Sequence, residues 1–287
     1  NGARALLESL RHEGVEVVFG YPGGAVLTLY DEVYQTNFPH ILTRHEQGAA
    51  HAADGYARAS GKVGVVFATS GPGATNLVTG IATAHMDSVP MVCITGQVAN
   101  PYIGKDSFQE ADIVGITTPI TKHNYLVKDV NELPRVVKEA FYIARTGRPG
   151  VVVIDVAKDV FDAEIEYRCP ETIELHGYTG EVAYEVPAVW EAAEAVFAAH
   201  RPVLFVGGGA VCCDPDDVAS GNGVVLRFRV VFVVQPGVCR ERQCTEECPE
   251  GGAVCHVFGS FRFFDWERQF STAGMAGGDY LPSGKLL

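Results

Sequence analysis

Between residues 15 and 157 the chain repeats one pattern, a short apolar run followed by a helical stretch. VEVVFG (15–20), VGVVFATS (63–70), VPMVCITG (89–96) and VVVIDV (151–156) are apolar at successive positions rather than at alternate ones. A strand with one wet face alternates apolar and polar residues. A strand that is apolar on both faces belongs in a parallel sheet covered on both sides. The intervening stretches have helical spacing. ARALLESLRHEG places Leu6, Leu7 and Leu10 on one face and stops at Gly14, and ELPRVVKEAFYIART is amphipathic. Helices are also expected over Ala25–Tyr34, over the Ala-rich stretch TRHEQGAAHAADGYAR (43–58) and over ATNLVTGIATAHMD (74–87), with a further strand near His40–Thr43. The fold class that follows is α/β, a doubly wound parallel sheet. With 287 residues, 47% of them hydrophobic, the chain can bury a core of that kind.

This rhythm assigns residues 1–165 to a first domain and 166–186, with scattered Pro, Gly and charge, to a linker. Residues 187–211 (VWEAAEAVFAAHRPVLFVGGGAV lies here) start a second α/β domain. From Cys212 to Leu287 the rhythm stops. That tail is not expected to complete the second domain, nor its apolar run Val224–Val234 to pack on what precedes it. Six of the eight cysteines fall between Cys212 and Cys255, leaving only Cys93 and Cys169 earlier. The late spacing C-x4-C-x3-C-x6-C lacks the matched pairs of a zinc site, so metal binding is the weaker reading and no metal ligand is assigned.

A net charge of −13 argues against a nucleic-acid partner. No apolar run approaches the ~20 residues of a membrane span, and NGARALLESL is not a signal peptide. The expected location is cytoplasmic, with no membrane partner.

Candidate functional residues gather where strands end, since open parallel sheets bind ligands beyond the carboxyl ends of their strands. Glu46 opens the Ala-rich helix just after a strand. One reading is electrostatic, an acid in the first turn meeting the helix dipole, worth roughly 0.3–1 kcal/mol. The other is functional: a poorly solvated carboxylate among Ala and Gly can share a proton with a ligand nitrogen. SGPGATN (70–76) reads as a tight capped turn, and its glycines around Pro72 also let a flat ligand approach the backbone. Tyr21-Pro22-Gly23-Gly24 ends a strand at the same edge. GGGAV (207–211) alone is weak evidence for a nucleotide, and His45 is a possible base that reads more readily as structural.

GYPGGAV, RHEQGAAHAADGYARASGKVGVVFATSGPGATNLVTG, DSVPMVCITGQV, DSFQEADIVGITTPITKHNYLV and GRPGVVVIDVAKDV occur together and in order. They resemble the N-terminal domain of the acetolactate synthase (acetohydroxyacid synthase) large catalytic subunit, a thiamine-diphosphate (ThDP) enzyme. The resemblance runs closely from residue 2 to about 178. It implies that Glu46 hydrogen-bonds the aminopyrimidine of ThDP and works through the cofactor without touching substrate. It implies, further, that Gly24 borders the reacting centre beside Tyr21 and Pro22, that Pro72 and Asn76 line the pyrimidine pocket, and that Gln109 lies near the reacting substituent with Phe108 as a wall. Arg148 matches a flavin contact and Lys158 a substrate-channel residue. The implied reaction decarboxylates pyruvate and joins the two-carbon unit to a second 2-oxo acid, pyruvate or 2-oxobutyrate, in branched-chain amino-acid biosynthesis. The cofactors implied are ThDP, Mg²⁺ and a structural FAD. The partners implied are a second large subunit, in a homodimer or larger assembly, and a small regulatory subunit.

The sequence departs from that pattern after about Val211. The family's G-D-G motif and following Asn, which hold Mg²⁺ and the diphosphate, have no counterpart; the late Gly278-Asp279 is followed by Tyr280. The chain is therefore expected to be inactive alone, and a frameshift near residue 211 is the expected origin of the tail. The alternatives are a non-catalytic subunit and a half-enzyme working with a separately encoded diphosphate-binding chain.

Overall fold

The computed structural model describes residues 1–173, 175–180, 185–199, 201–205 and 231–235. Six strands form one parallel sheet: β1 (Val18–Gly20), β2 (His40–Leu42), β3 (Gly64–Ala68), β4 (Met91–Gln97), β5 (His123–Val127) and β6 (Val151–Ala157), in the spatial order β2-β1-β3-β4-β6-β5. Every neighbouring pair is parallel, as the apolar runs demand. The helices are α1 (Gly2–His12), α2 (Leu27–Gln35), α3 (Glu46–Ser60), α4 (Pro72–Thr75), α5 (Val78–Met86), α6 (Ile113–Thr117), α7 (Leu133–Arg145) and α8 (Lys158–Asp162).

Two hydrophobic layers flank the sheet. On one face Val65, Phe67, Val92, Ile94, Val152 and Ile154 pack with α1, α2, α7 and α8. On the other Val66, Ala68, Met91, Cys93, Val151 and Val153 pack with α3, α4, α5 and α6. Alternate residues of one run thus serve opposite cores, and burial of both faces is the main stabilising term, about 25 cal/mol per Å² of apolar surface. The doubly wound class read from the sequence is the fold observed.

Two differences from the sequence reading have physical reasons. β5 escapes that reading because it is an edge strand whose residues His123 and Asn124 are polar and partly exposed, so its run is not apolar. The helix expected over 74–87 is broken between α4 and α5 at Asn76 and Leu77, and the Asn76 side chain is turned to Glu46.

After α8 the chain to Gly180 carries no helix or strand among the described residues. It lies along α7: Lys138 Nζ donates to the carbonyls of Pro170 and Glu171, and Leu175 and Tyr178 pack on the first core. Beyond it α9 (Val186–Ala198) precedes β7 (Arg201–Phe205), which pairs antiparallel with β8 (Val231–Gln235) in register Val203↔Val233. This pairing runs counter to the expectation that the apolar run ending at Val234 stays off the second-domain start. The other residues of the tail, its late cysteines and GGGAV lie outside the described residues.

Candidate functional site

The strand order contains a switch point. From β1 the chain crosses to β2 on one side, and from β3 to β4 on the other, so the loops after β1 and β3 part above a crevice. The loop after β1 carries Tyr21, Pro22, Gly23 and Gly24; the loop after β3 carries Thr69 to Gly71 and leads into α4. The loop after β2 leads to Glu46. Thr43 ties these ends together, its N–H donating to the Gly20 carbonyl at 3.0 Å and its hydroxyl to the His45 carbonyl at 3.0 Å.

Glu46 is the first residue of α3 and only 7% exposed. Asn76 Nδ2 donates to its Oε2 at 3.0 Å, while Oε1 accepts no hydrogen bond from a described residue. A carboxylate held at one oxygen with the other free is built to meet a donor. His45 is structural: it caps α3, its Nδ1 accepting from the Gln47 N–H at 3.1 Å.

Small residues give this carboxylate its place. Ala49, Ala50, Ala53 and Ala57 are buried on α3, which lies so close to β3 that a Cβ on Gly64 would stand 2.3 Å from the Ala53 carbonyl oxygen. A Cβ on Gly73 would stand 3.2 Å from Glu46 Oε1 and 2.6 Å from Thr69 Cγ2, so glycine keeps the free oxygen approachable. Gly24 is different. A Cβ there would meet nothing within 4 Å, so the space beside it is open to a ligand rather than filled by the protein.

Of the other residues expected at the site, Pro72 is exposed at the start of α4, and Gln109 is brought up against Gly71: a Cβ on Gly71 would lie 2.4 Å from the Gln109 carbonyl oxygen. Phe108 beside it is 88% exposed, an unusual state for a large aromatic ring. Lys158 is exposed and follows β6, so it shares this edge of the sheet but stands two strands beyond β3. Arg148 is not brought together with the rest. It precedes β6 and donates to Ser88 Oγ at 2.7 Å and the Met86 carbonyl at 3.3 Å, both before β4, which places it at the opposite edge.

Sequence reasoning missed three supporting groups. Thr69 Oγ1 accepts from the Ala25 N–H at 3.1 Å and so joins the two loops of the crevice. The Tyr30 hydroxyl is buried with no partner among the described residues; burial, and then the Glu46 charge, push its phenol above the ordinary value. Asp155 on β6 accepts from Thr95 Oγ1 at 2.6 Å and from Gln97 Nε2 at 2.9 Å, and Gln97 Nε2 also reaches the Ala111 carbonyl at 2.8 Å. Thr95 and Asp155 are register partners on adjacent strands, a pairing that no sequence signal marks and that only the neighbourhood of β4 and β6 creates.

Burial pushes the Asp155 carboxyl up to about 6, outweighing the two hydrogen bonds that favour its charged form. The folded state therefore binds this proton at a pH where the unfolded chain has released it. Its contribution favours folding as the pH falls from about 6 toward 3.8 and is lost as the pH rises through that window. Relative to Asp155→Asn, the wild-type chain should gain about 2 kcal/mol between pH 6.5 and pH 4 in urea unfolding; a difference independent of pH would exclude the effect.

Among the described residues no cluster of His, Cys, Asp or Glu is placed to hold a metal, and no helix is long and apolar enough to cross a membrane. Comparisons with known proteins cover the stretch that carries these residues. The family described as thiamine pyrophosphate enzyme, N-terminal TPP binding domain, covers residues 1–116, which include Tyr21 to Gly24, Glu46, the Ser70–Asn76 turn and Gln109. The chain is 55% identical over 216 residues to an acetolactate synthase of Arthrospira platensis, a match covering 73% of this chain and 37% of that protein. It is 54% identical over 211 residues to the acetolactate synthase large subunit IlvB1 of Mycobacterium tuberculosis (73% and 34%) and 52% identical over 217 to the Haemophilus influenzae large subunit (75% and 38%). The chain thus spans little more than a third of the length of these curated relatives. A switch-point crevice with one half-free carboxylate lies within a stretch, residues 1–116, that matches the N-terminal TPP binding domain of thiamine pyrophosphate enzymes, and the chain is similar, over most of its length, to acetolactate synthase large subunits.

Proposed function

We propose that residues 1–165 are the pyrimidine-binding half of an acetolactate synthase site, acting on pyruvate and a second 2-oxo acid. The observation that carries this is Glu46: nearly buried, held by Asn76 at Oε2 and open at Oε1 beside Gly73. These residues fit an aminopyrimidine, a flat ring whose nitrogens need one buried acid and room against the backbone. When bound, ThDP supplies the electron sink that decarboxylation of a 2-oxo acid needs. Glu46 Oε1 holds the proton shared with the ring nitrogen, and the dry surroundings strengthen that bond. Asn76 orients the carboxylate, Gly24 and Pro72 give the ring room, and Tyr21 and Pro22 shape the turn. Gln109 and Phe108 take the 2-oxo acid side, and Lys158 lines the approach.

Residues 166–186 link this half to residues 187–211, the start of an FAD-contacting domain, and Arg148 would serve the flavin from the edge opposite Glu46. Residues 212–287 stand outside the family pattern. Mg²⁺ and the diphosphate would be held by a second domain supplied by another polypeptide, in a homodimer or larger assembly with full-length large subunits and a small regulatory subunit, or in the half-enzyme arrangement.

Calorimetric titration of the purified chain with ThDP tests the reading. Saturable binding that Glu46→Ala abolishes is expected, and equal heats for both proteins would refute it. With pyruvate, ThDP, Mg²⁺ and FAD, acetolactate should form only after a full-length large subunit or a diphosphate-binding chain is added. Turnover by this chain alone would overturn that part.

A further inference from the structure

The segment between β4 and α6 brings Phe108 and Gln109 to the crevice, yet a single 3-10 turn at Asn100–Tyr102 is its regular structure. Its shape is held by Glu110. One carboxylate oxygen of Glu110 accepts from the Gly104 N–H; the other accepts from the Ser107 N–H at 2.8 Å and the Lys105 N–H at 3.3 Å. The Glu110 N–H donates back to the Ser107 carbonyl at 2.9 Å, and Ser107 Oγ to the Tyr102 carbonyl at 2.9 Å. A carboxylate gathering three amides makes the loop one unit, and those amides hold its carboxyl below the usual range.

The loop needs this. Gln109 has φ +59°, and Asp106 φ +51°, a left-handed backbone that residues with a Cβ adopt only when their surroundings impose it. At Gln109 the surroundings are two. Glu110 fixes the chain on one side, and Gly71 on the other leaves the space that the Gln109 carbonyl enters. Gln97 Nε2, on the Ala111 carbonyl, anchors the loop's far end to the sheet.

We propose that Glu110 is a positioning residue, which by gathering the amides of Gly104, Lys105 and Ser107 fixes Gln109 against Gly71 and so presents it to the 2-oxo acid. That last clause rests on the ThDP reading of the crevice. Glu110 itself meets neither cofactor nor substrate.

The test uses the isotope-labelled full chain as wild type, Glu110→Ala and Glu110→Gln, the last keeping one acceptor oxygen. Amide hydrogen exchange at Gly104, Lys105 and Ser107 should quicken about tenfold in Glu110→Ala, with the sheet amides of Val152 and Ile154 unchanged. NOE cross-peaks between Gln109 and Gly71 should vanish in Glu110→Ala and return in Glu110→Gln. Titration with ThDP should move the Asn76 side-chain amide in all three proteins, but the Gln109 side-chain amide only in wild type and Glu110→Gln. Retained Gln109–Gly71 cross-peaks in Glu110→Ala would overturn the proposal, as would loss of protection across the whole sheet, which would make Glu110 a fold residue. If ThDP moves no resonance of the wild type, the reading of the crevice fails. Exchange and cross-peaks would still decide whether Glu110 positions Gln109.

Discussion

Glu46→Gln should slow hydrogen–deuterium exchange at C2 of bound ThDP by a factor on the order of 10² to 10⁴, the usual span for losing a positioned acid or base. The substitution is close to isosteric. Its amide oxygen can still accept from Asn76 Nδ2, as Oε2 does now at 3.0 Å. Its amide nitrogen then stands where Oε1 stood, so the crevice presents a donor that cannot take a proton in place of an acceptor that can. Binding should weaken much less than exchange, because Gly24 and Pro72 still leave room for the ring. Exchange followed by NMR in D₂O, on this chain with ThDP and on its assembly with a diphosphate-binding partner, measures the effect. Exchange within threefold of wild type in both would mean that Glu46 serves only the helix dipole, an effect of roughly 0.3–1 kcal/mol.

The second large effect is on stability and comes from Gly64→Ala. The added Cβ would stand 2.3 Å from the Ala53 carbonyl oxygen and 2.8 Å from its carbonyl carbon. Both are backbone atoms in the middle of α3, so relief requires the helix to move off β3. Overpacking of this kind costs about 3 kcal/mol, or a fall in Tm of roughly 6–12 °C for a domain of this size. Gly55→Ala is the control. Gly55 lies in the same helix, is exposed, and a Cβ there meets nothing within 4 Å, so that change should stabilise the chain by roughly 0.5–1 kcal/mol. Calorimetric melting of the two variants separates the cases. Equal shifts would mean that glycine at 64 answers to backbone freedom and not to close packing. Because α3 carries Glu46 on its first turn, Gly64→Ala should also weaken ThDP binding.

Much of the fold is legible in the order of residues. Burial on both faces leaves its mark on each residue of a strand, so VGVVFATS and VPMVCITG read as parallel strands from their composition alone. Glu46, Gly24 and Pro72 fall at one sheet edge because loops after parallel strands must share that edge. β5 is not legible, because an edge strand with polar residues carries no such mark. Nor is Glu110. Its task is to collect amides three to six residues back along an irregular loop, and no periodicity records that.

Local patterning, then, determines the class of the sheet, the two apolar layers and the side of the molecule on which ligands meet it, since each follows from which residues water must not reach. The tertiary structure alone decides which strands are neighbours, and several features follow from those pairings. Thr95 and Asp155 meet because β4 lies beside β6. Glu46 has one committed oxygen and one free because α3 and the break at Asn76 converge over β1 and β3. Arg148 is parted from the remaining site residues because it precedes β6 where Lys158 follows it. Residues far apart in the chain come within hydrogen-bond reach only through strand order, and strand order is set by how helices of given bulk close over the sheet, not by any one segment.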